Sequence, residues 1–239
     1  MISFPVVEDS AQFGNRLADM VGEEDRLWLT SVSERVRVEA GRRLSEPGER
    51  PSHAYFPIDA LLVTWNRSKT EGRQACVQLA GRLRVAGHLT AFNWGYANAW
   101  IEVLAEGDVW RVPSDELEKR AANHSSLALL LARVACIALT INTIRLLCAE
   151  EHNIDQRLAT LLLYLCEERG SLELPVTHEM LASISGIRRP SVSHVMSAFQ
   201  QAGVIRTQRA QLYVRDRAEL AKIACVCFEE MAQVILSTR

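Results

Sequence analysis

LPVTHEMLASISGIRRPSVSHVMSAFQQAGVIRTQRAQLYV, Leu174 to Val214, is the stretch that decides the fold of this 239-residue chain. Thr177 follows Pro175 by two residues and can N-cap a helix over residues 178–185, with Glu179 suited to the positive helix end. Gly186 ends that helix. Pro190 reads as the first residue of a second helix, where its missing N–H costs nothing, and Gly203 closes it after Ala202. Two helices joined by about three residues predict a helix-turn-helix. Steep packing of the pair needs a small residue at the crossing, a glycine in the turn and two apolar anchors. Ala182, Gly186, Val192 and Val195 supply them. Residues 204–208 and 211–215 then read as two short strands around Arg209-Ala210, which makes a wing.

Charge agrees with a nucleic-acid partner for this segment. The whole chain carries a net charge of −2, which argues against a generally basic coat, so any DNA contact must be local. Between Arg188 and Arg217 stand Arg188, Arg189, Arg206, Arg209, Arg215 and Arg217 against one acidic residue, Asp216. That cluster coincides with a helix start and the following hairpin.

Upstream, residues 114–168 contain neither proline nor glycine and are mostly good helix formers. Leu127, Leu130, Val134, Ile137, Ile141, Ile144 and Cys148 recur there at 3-4-3-4-3-4 spacing, the seam of a coiled coil, and are expected to form the dimer interface. A second apolar set, Leu131, Ala135, Ala138 and Leu146, is expected to face the remainder of the chain. Polar residues 150–155 interrupt the pattern before a further helix over 156–168. Between Arg35 and Val112 glycines and prolines come too often for ordinary helices. The pieces between them (36–38, 53–56, 61–65, 76–79, 100–104 and 109–112) read as strands of a β-roll or sandwich. Residues 9–32 suggest two short helices broken at Gly22.

No run of about 18 apolar residues is present and residues 1–10 lack a basic leader, so neither a membrane span nor a secretory signal is expected and the chain should be cytoplasmic. Cys76, Cys136, Cys148, Cys166, Cys225 and Cys227 form no CxxC, which predicts buried or idle reduced thiols without a metal.

The whole order resembles the Crp/Fnr family of bacterial regulators. The residues that carry the resemblance are AGRRLSEPGERPSHAYFP (40–57), HNIDQRLATLLLYL (152–165), GIRRPSVSHV (186–195) and RAELAKIACVCF (217–228). It implies an α+β chain with a cyclic-nucleotide-binding-like β-roll sensor (11–122), a dimerisation helix (123–152) and a Crp-type winged helix-turn-helix (153–225). It also implies a transcription regulator, not an enzyme, that binds double-stranded DNA at an inverted repeat as a homodimer and works with RNA polymerase. By the resemblance Arg189, Ser193 and His194 face base edges, while Thr177, His178, Arg188, Ser191 and Arg209 touch phosphates. His194 and Pro190 stand where many relatives have arginine and glutamate, which points to a different half-site. Ala210 replaces a wing glycine, so the wing tip is expected to be distorted or longer.

Cyclic-nucleotide-binding relatives hold the ligand with a glutamate and an Arg-Ser pair, and these positions align with His88, Ala97 and Asn98. A buried phosphate would lack its charge partner, so cyclic AMP is not the expected ligand. No cofactor is expected. Haem binding through His53, His88 or Cys76 and sensing of another small molecule stay open. A cupin-like metalloenzyme fails on ligand count, because the β region offers only His53 and His88. An interaction module without DNA binding is the third alternative, and the basic second helix argues against it.

Overall fold

A computed structural model describes residues 13–68, 70, 72, 74–92, 99–209 and 211–236. Two short helices open it, α1 (Arg16–Asp19) and α2 (Glu23–Val32). Asn15 starts α1: its side-chain oxygen accepts from the N–H groups of Leu17 and Ala18, while its amide donates to the carbonyls of Pro57 and Arg84. All of its polar capacity is used although the residue is fully buried.

Six strands follow: β1 (Glu34–Val38), β2 (His53–Pro57), β3 (Leu61–Arg67), β4 (Gln74–Ala80), β5 (Ala99–Ala105) and β6 (Gly107–Pro113). They pair antiparallel in two three-stranded sheets, β1-β6-β2 and β4-β3-β5. Each expected strand lies within one of them. Val38, Tyr55, Leu62, Ile101, Val103 and Val109 form one apolar core of this roll. A second core gathers Phe13, Leu17, Leu29, Phe56, Val112, Leu117, Leu127, Leu131 and Val134, which seals the helices onto the β1-β6-β2 sheet.

After α3 (Ser114–Asn123) the extended backbone of His124 breaks the helical run, and α4 (Ser125–Glu151) begins. The C-terminal elements are α5 (Ile154–Arg169), β7 (Glu173–Leu174), α6 (His178–Ser185), α7 (Arg189–Gln201), β8 (Ile205–Gln208), β9 (Gln211–Val214), α8 (Arg217–Ile223) and α9 (Cys227–Leu236). Strands β7, β9 and β8 form a third antiparallel sheet in that order. The chain divides into two compact units inside α4, at Ala138/Leu139.

The structure bears on two expectations about α4. By length and mean hydropathy it is apolar enough to cross a membrane, which a search for unbroken apolar runs misses because Arg133, Asn142 and Arg145 interrupt it. A helix apolar on nearly all sides needs covering on more than one face. The expected dimer seam also splits: Leu127, Val134, Ile141, Ile144 and Cys148 are buried by their own chain, and Leu130 and Ile137 are half-buried. Heptad spacing locates an apolar stripe without saying what covers it. Leu129, Leu139, Leu146 and Leu147 are instead the exposed large apolar residues of α4, each more than half accessible, and Leu146 does not face the rest of the chain as expected. Ala135 and Ala138 are half-buried, and Leu131 is buried as expected.

Candidate DNA-binding interface

Helix α5 starts with Asn153, whose side chain accepts the Gln156 N–H while Gln156 reaches back to the Asn153 N–H. It ends at Gly170 in the left-handed region. Its buried Leu158, Leu162, Leu163 and Leu165 give α6 and α7 a floor. Thr177 N-caps α6 by accepting the Met180 N–H at 3.2 Å, and Gly186, with φ of 69°, ends it in the conformation that lets the chain turn into α7. The last carbonyls of α6 are met by two guanidinium groups: Arg145 donates to Ile184 and Arg157 to Ser185. Ile187 is buried in the turn, and Val192, Val195, Met196 and Phe199 bury the inner face of α7 against Leu181, Ala182 and Ile184. The helix-turn-helix is thus held at its cap, its turn and its crossing, the three places read from the sequence.

The outer face of α7 carries polar residues along its length. Arg189, Pro190 and His194 are exposed, with Ser197 and Gln201 one and two turns further along. Arg189 Nε lies 3.4 Å from a carboxylate oxygen of Glu179, an ion pair of two largely exposed side chains and therefore weak. Ser193 is half-buried, and its hydroxyl is 3.1 Å from Nδ1 of His178. These two residues, one expected at a base and the other at a phosphate, are hydrogen-bonded to each other. Burial, and then the positive charge of Arg189, hold His178 below the usual imidazole range, so it is neutral at pH 7. Arg188 is exposed at the cap position of α7, and Ser191 is half-buried in its first turn.

The wing lies beside this face. Strands β8 and β9 pair Ile205 with Val214 and Gln208 with Gln211, leaving a two-residue connection at 209–210. The expected longer tip is therefore not what forms. Arg209 takes φ of 46°, as a two-residue hairpin turn requires of its first residue, whereas Ala210, where the distortion was expected, lies outside the described residues. Gln200 on α7 accepts from both the N–H and the hydroxyl of Thr207, which ties β8 to α7. Arg206 donates to Gln208, and Arg215 is exposed. Arg217 does not join this surface: its guanidinium bonds Glu167 at 2.7 Å. Sequence reasoning overlooked Ser197, Gln200 and Gln201. The signal was there, since 190, 194, 197 and 201 repeat at helical spacing opposite the apolar set.

In the roll, His88 opens a short 3-10 turn (His88–Phe92) and is 2% exposed. Its Nδ1 lies 3.1 Å from the Val85 carbonyl, and burial pulls the imidazole down to about 4. Gly87 precedes it with φ of 77°, and a Cβ there would stand 2.8 Å from the His53 carbonyl oxygen. Ala97 and Asn98 lie outside the described residues. Of the cysteines expected to be buried or idle, Cys148, Cys225 and Cys227 are buried and converge with His152.

Comparison with known proteins adds three findings. Residues 156–223 match the Crp-like helix-turn-helix domain. A CRP-like cAMP-activated global transcriptional regulator of Mycobacterium tuberculosis is 24% identical over 203 residues, 82% of this chain and 90% of that protein. Among solved structures, FixK2 from Bradyrhizobium japonicum superposes with a TM-score of 0.68 at 18% identity, covering 81% of this chain and 98% of its own. A CRP/FNR-family transcriptional regulator from Thermus thermophilus gives 0.63 at 22% identity, over 80% and 98%. At such identities the superpositions speak for the fold.

Proposed function

We propose, from the premise that this chain is a DNA-binding transcription regulator of the Crp/Fnr family, that two copies of it grip an inverted repeat and read it with the N-terminal end of α7. The observation that carries this reading is the exposed Arg189 and His194 at the start of a helix fixed by Thr177, Gly186 and the Gln200–Thr207 bond. An arginine held by a weak ion pair can turn its planar fork to O6 and N7 of one guanine. Ser193 and His178 act as one hydrogen-bonded unit at the edge of the contact. Thr177, Arg188, Ser191 and Arg209 are the phosphate anchors, which fix register without reading sequence.

Segment 11–122 acts as the sensor, 123–152 as the dimerisation helix and 153–225 as the reader. The outward stripe Leu129, Ala132, Cys136, Leu139, Thr143 and Leu146 repeats at 3-4-3-4-3 spacing, and we take it as the seam between two chains of a family that works as dimers. That pairing, and not lipid, covers α4, and the chain works in the cytoplasm with RNA polymerase as its partner. Cyclic AMP is not the effector, because a buried neutral imidazole at residue 88 offers no carboxylate to a ribose. Calorimetry should detect no saturable cyclic AMP binding at concentrations near 10 μM, where binding would require roughly −7 kcal/mol.

Selection from a random DNA pool, followed by titration of the selected duplex, tests the reading mode. Arg189→Ala should cost about 1–3 kcal/mol per half-site on the selected sequence and leave binding to scrambled DNA nearly intact. An equal loss on both would remove Arg189 from base readout.

A further inference from the structure

Four side chains with soft or borderline donor atoms meet where α4 ends. Cys148 and His152 stand one helical turn apart at its C-terminus. Cys225 lies just after α8, and Cys227 is the first residue of α9. The donor atoms of all four lie within 4.8 Å of one another. Cys148 Sγ is 3.5 Å from Cys225 Sγ, and Cys227 Sγ is 3.7 Å from Nδ1 of His152. All three cysteines are buried.

A zinc ion bound to sulfur at about 2.3 Å in a tetrahedron sets its sulfurs about 3.8 Å apart, the separation that these donors approach. The count is also that of a closed structural site, three thiolates and one imidazole. We propose that Cys148, His152, Cys225 and Cys227 form a tetrahedral site for Zn²⁺. On binding, the thiols release their protons to solvent and the imidazole enters as the neutral base. Thr160 on α5 supports the set: its Oγ1 accepts the Cys225 N–H at 3.2 Å and lies 3.1 Å from Cys225 Sγ, so its own hydrogen can be donated to the thiolate. A simple redox pair of Cys148 and Cys225 would use neither the imidazole nor Cys227, and the convergence of all four favours the ion. The ion would clip the start of α9 to the end of α4, and therefore tie the helix that follows the DNA-binding segment to the helix that leads into it.

The full-length chain, stripped with a chelator under reducing conditions, tests this directly. Zn²⁺ should bind at one ion per chain and raise the melting temperature, and Co²⁺ should give the intense visible bands of a tetrahedral thiolate site. Cys225→Ser and His152→Ala should abolish both, whereas Cys76→Ser should keep them. Should a site variant fail to fold, the titration of the wild-type chain still decides. Substoichiometric binding, the weak bands of octahedral Co²⁺, or a Cys148–Cys225 disulfide whose reduction restores no metal uptake would each overturn the assignment. DNA binding is not part of any readout, so the outcome stands apart from the reading of α7.

Discussion

His88 buries an imidazole that ordinarily titrates near 6.5 and holds it neutral down to about 4. Between those two values the unfolded chain binds the extra proton and the folded chain does not, so stability rises with pH across that window. The full contribution is present above pH 6.5 and is lost as pH falls toward 4, by about 3 kcal/mol at 1.36 kcal/mol per unit. Denaturant unfolding at pH 7 and pH 5 should record part of this loss, and His88→Gln should flatten the dependence even if it lowers stability at both. At the other end of the chain, Arg209 and His178 are both proposed phosphate contacts. Arg209 carries a guanidinium and already sits at positive φ, so Arg209→Ala removes that group while keeping a side chain with the same backbone cost. The slope of log affinity against log salt should flatten by about one unit per contact. His178 is neutral at pH 7, so His178→Ala should weaken binding without changing that slope. A slope change for His178→Ala would mean that DNA itself protonates the ring.

The decisive element is α4. Its buried stripe and its exposed stripe both carry heptad spacing, and they differ in what lies opposite them. Leu127 and Val134 belong to the core that seals the helices onto the β1-β6-β2 sheet, and Cys148 meets Cys225, so neither end of the buried stripe is open to a second chain. Leu139 is 70% exposed and Leu146 72%. Leu139→Glu sets like charges against each other across a two-fold axis and should give monomers in analytical ultracentrifugation with the melting temperature little changed. Ile141→Glu, by contrast, buries a charge within the chain and should unfold it. Cys136 on the same outward stripe should cross-link two chains under mild oxidant, an observation independent of any substitution in the apolar seam.

At the scale of the molecule, the proposed two-fold pair of readers would fix the form of the site before its sequence is known. Half-sites should be inverted and centred about one helical turn, roughly 10 base pairs, apart, because a symmetric helix-turn-helix dimer places its two recognition helices in successive major grooves on one side of the duplex. A Leu139→Glu monomer should then protect one half-site only. The helix-turn-helix was legible without coordinates because local chemistry writes it: a capping threonine, a glycine in the left-handed region and a proline at a helix start act within a few residues of themselves. The strand pieces were legible for the same reason, since turn residues bound them. What neighbours across the fold determine could not be read. Spacing alone does not say which of two apolar stripes on α4 the chain covers for itself, that Arg217 turns away to Glu167, or that His178 spends its ring on Ser193. Nor does it bring Cys148 and His152 to Cys225 and Cys227, more than 70 residues on in sequence. By itself the sequence determined periodicity, caps and turns, which depend on bonded neighbours. Only the tertiary structure decided burial and partnership, because these depend on which distant surfaces the folded chain brings into contact.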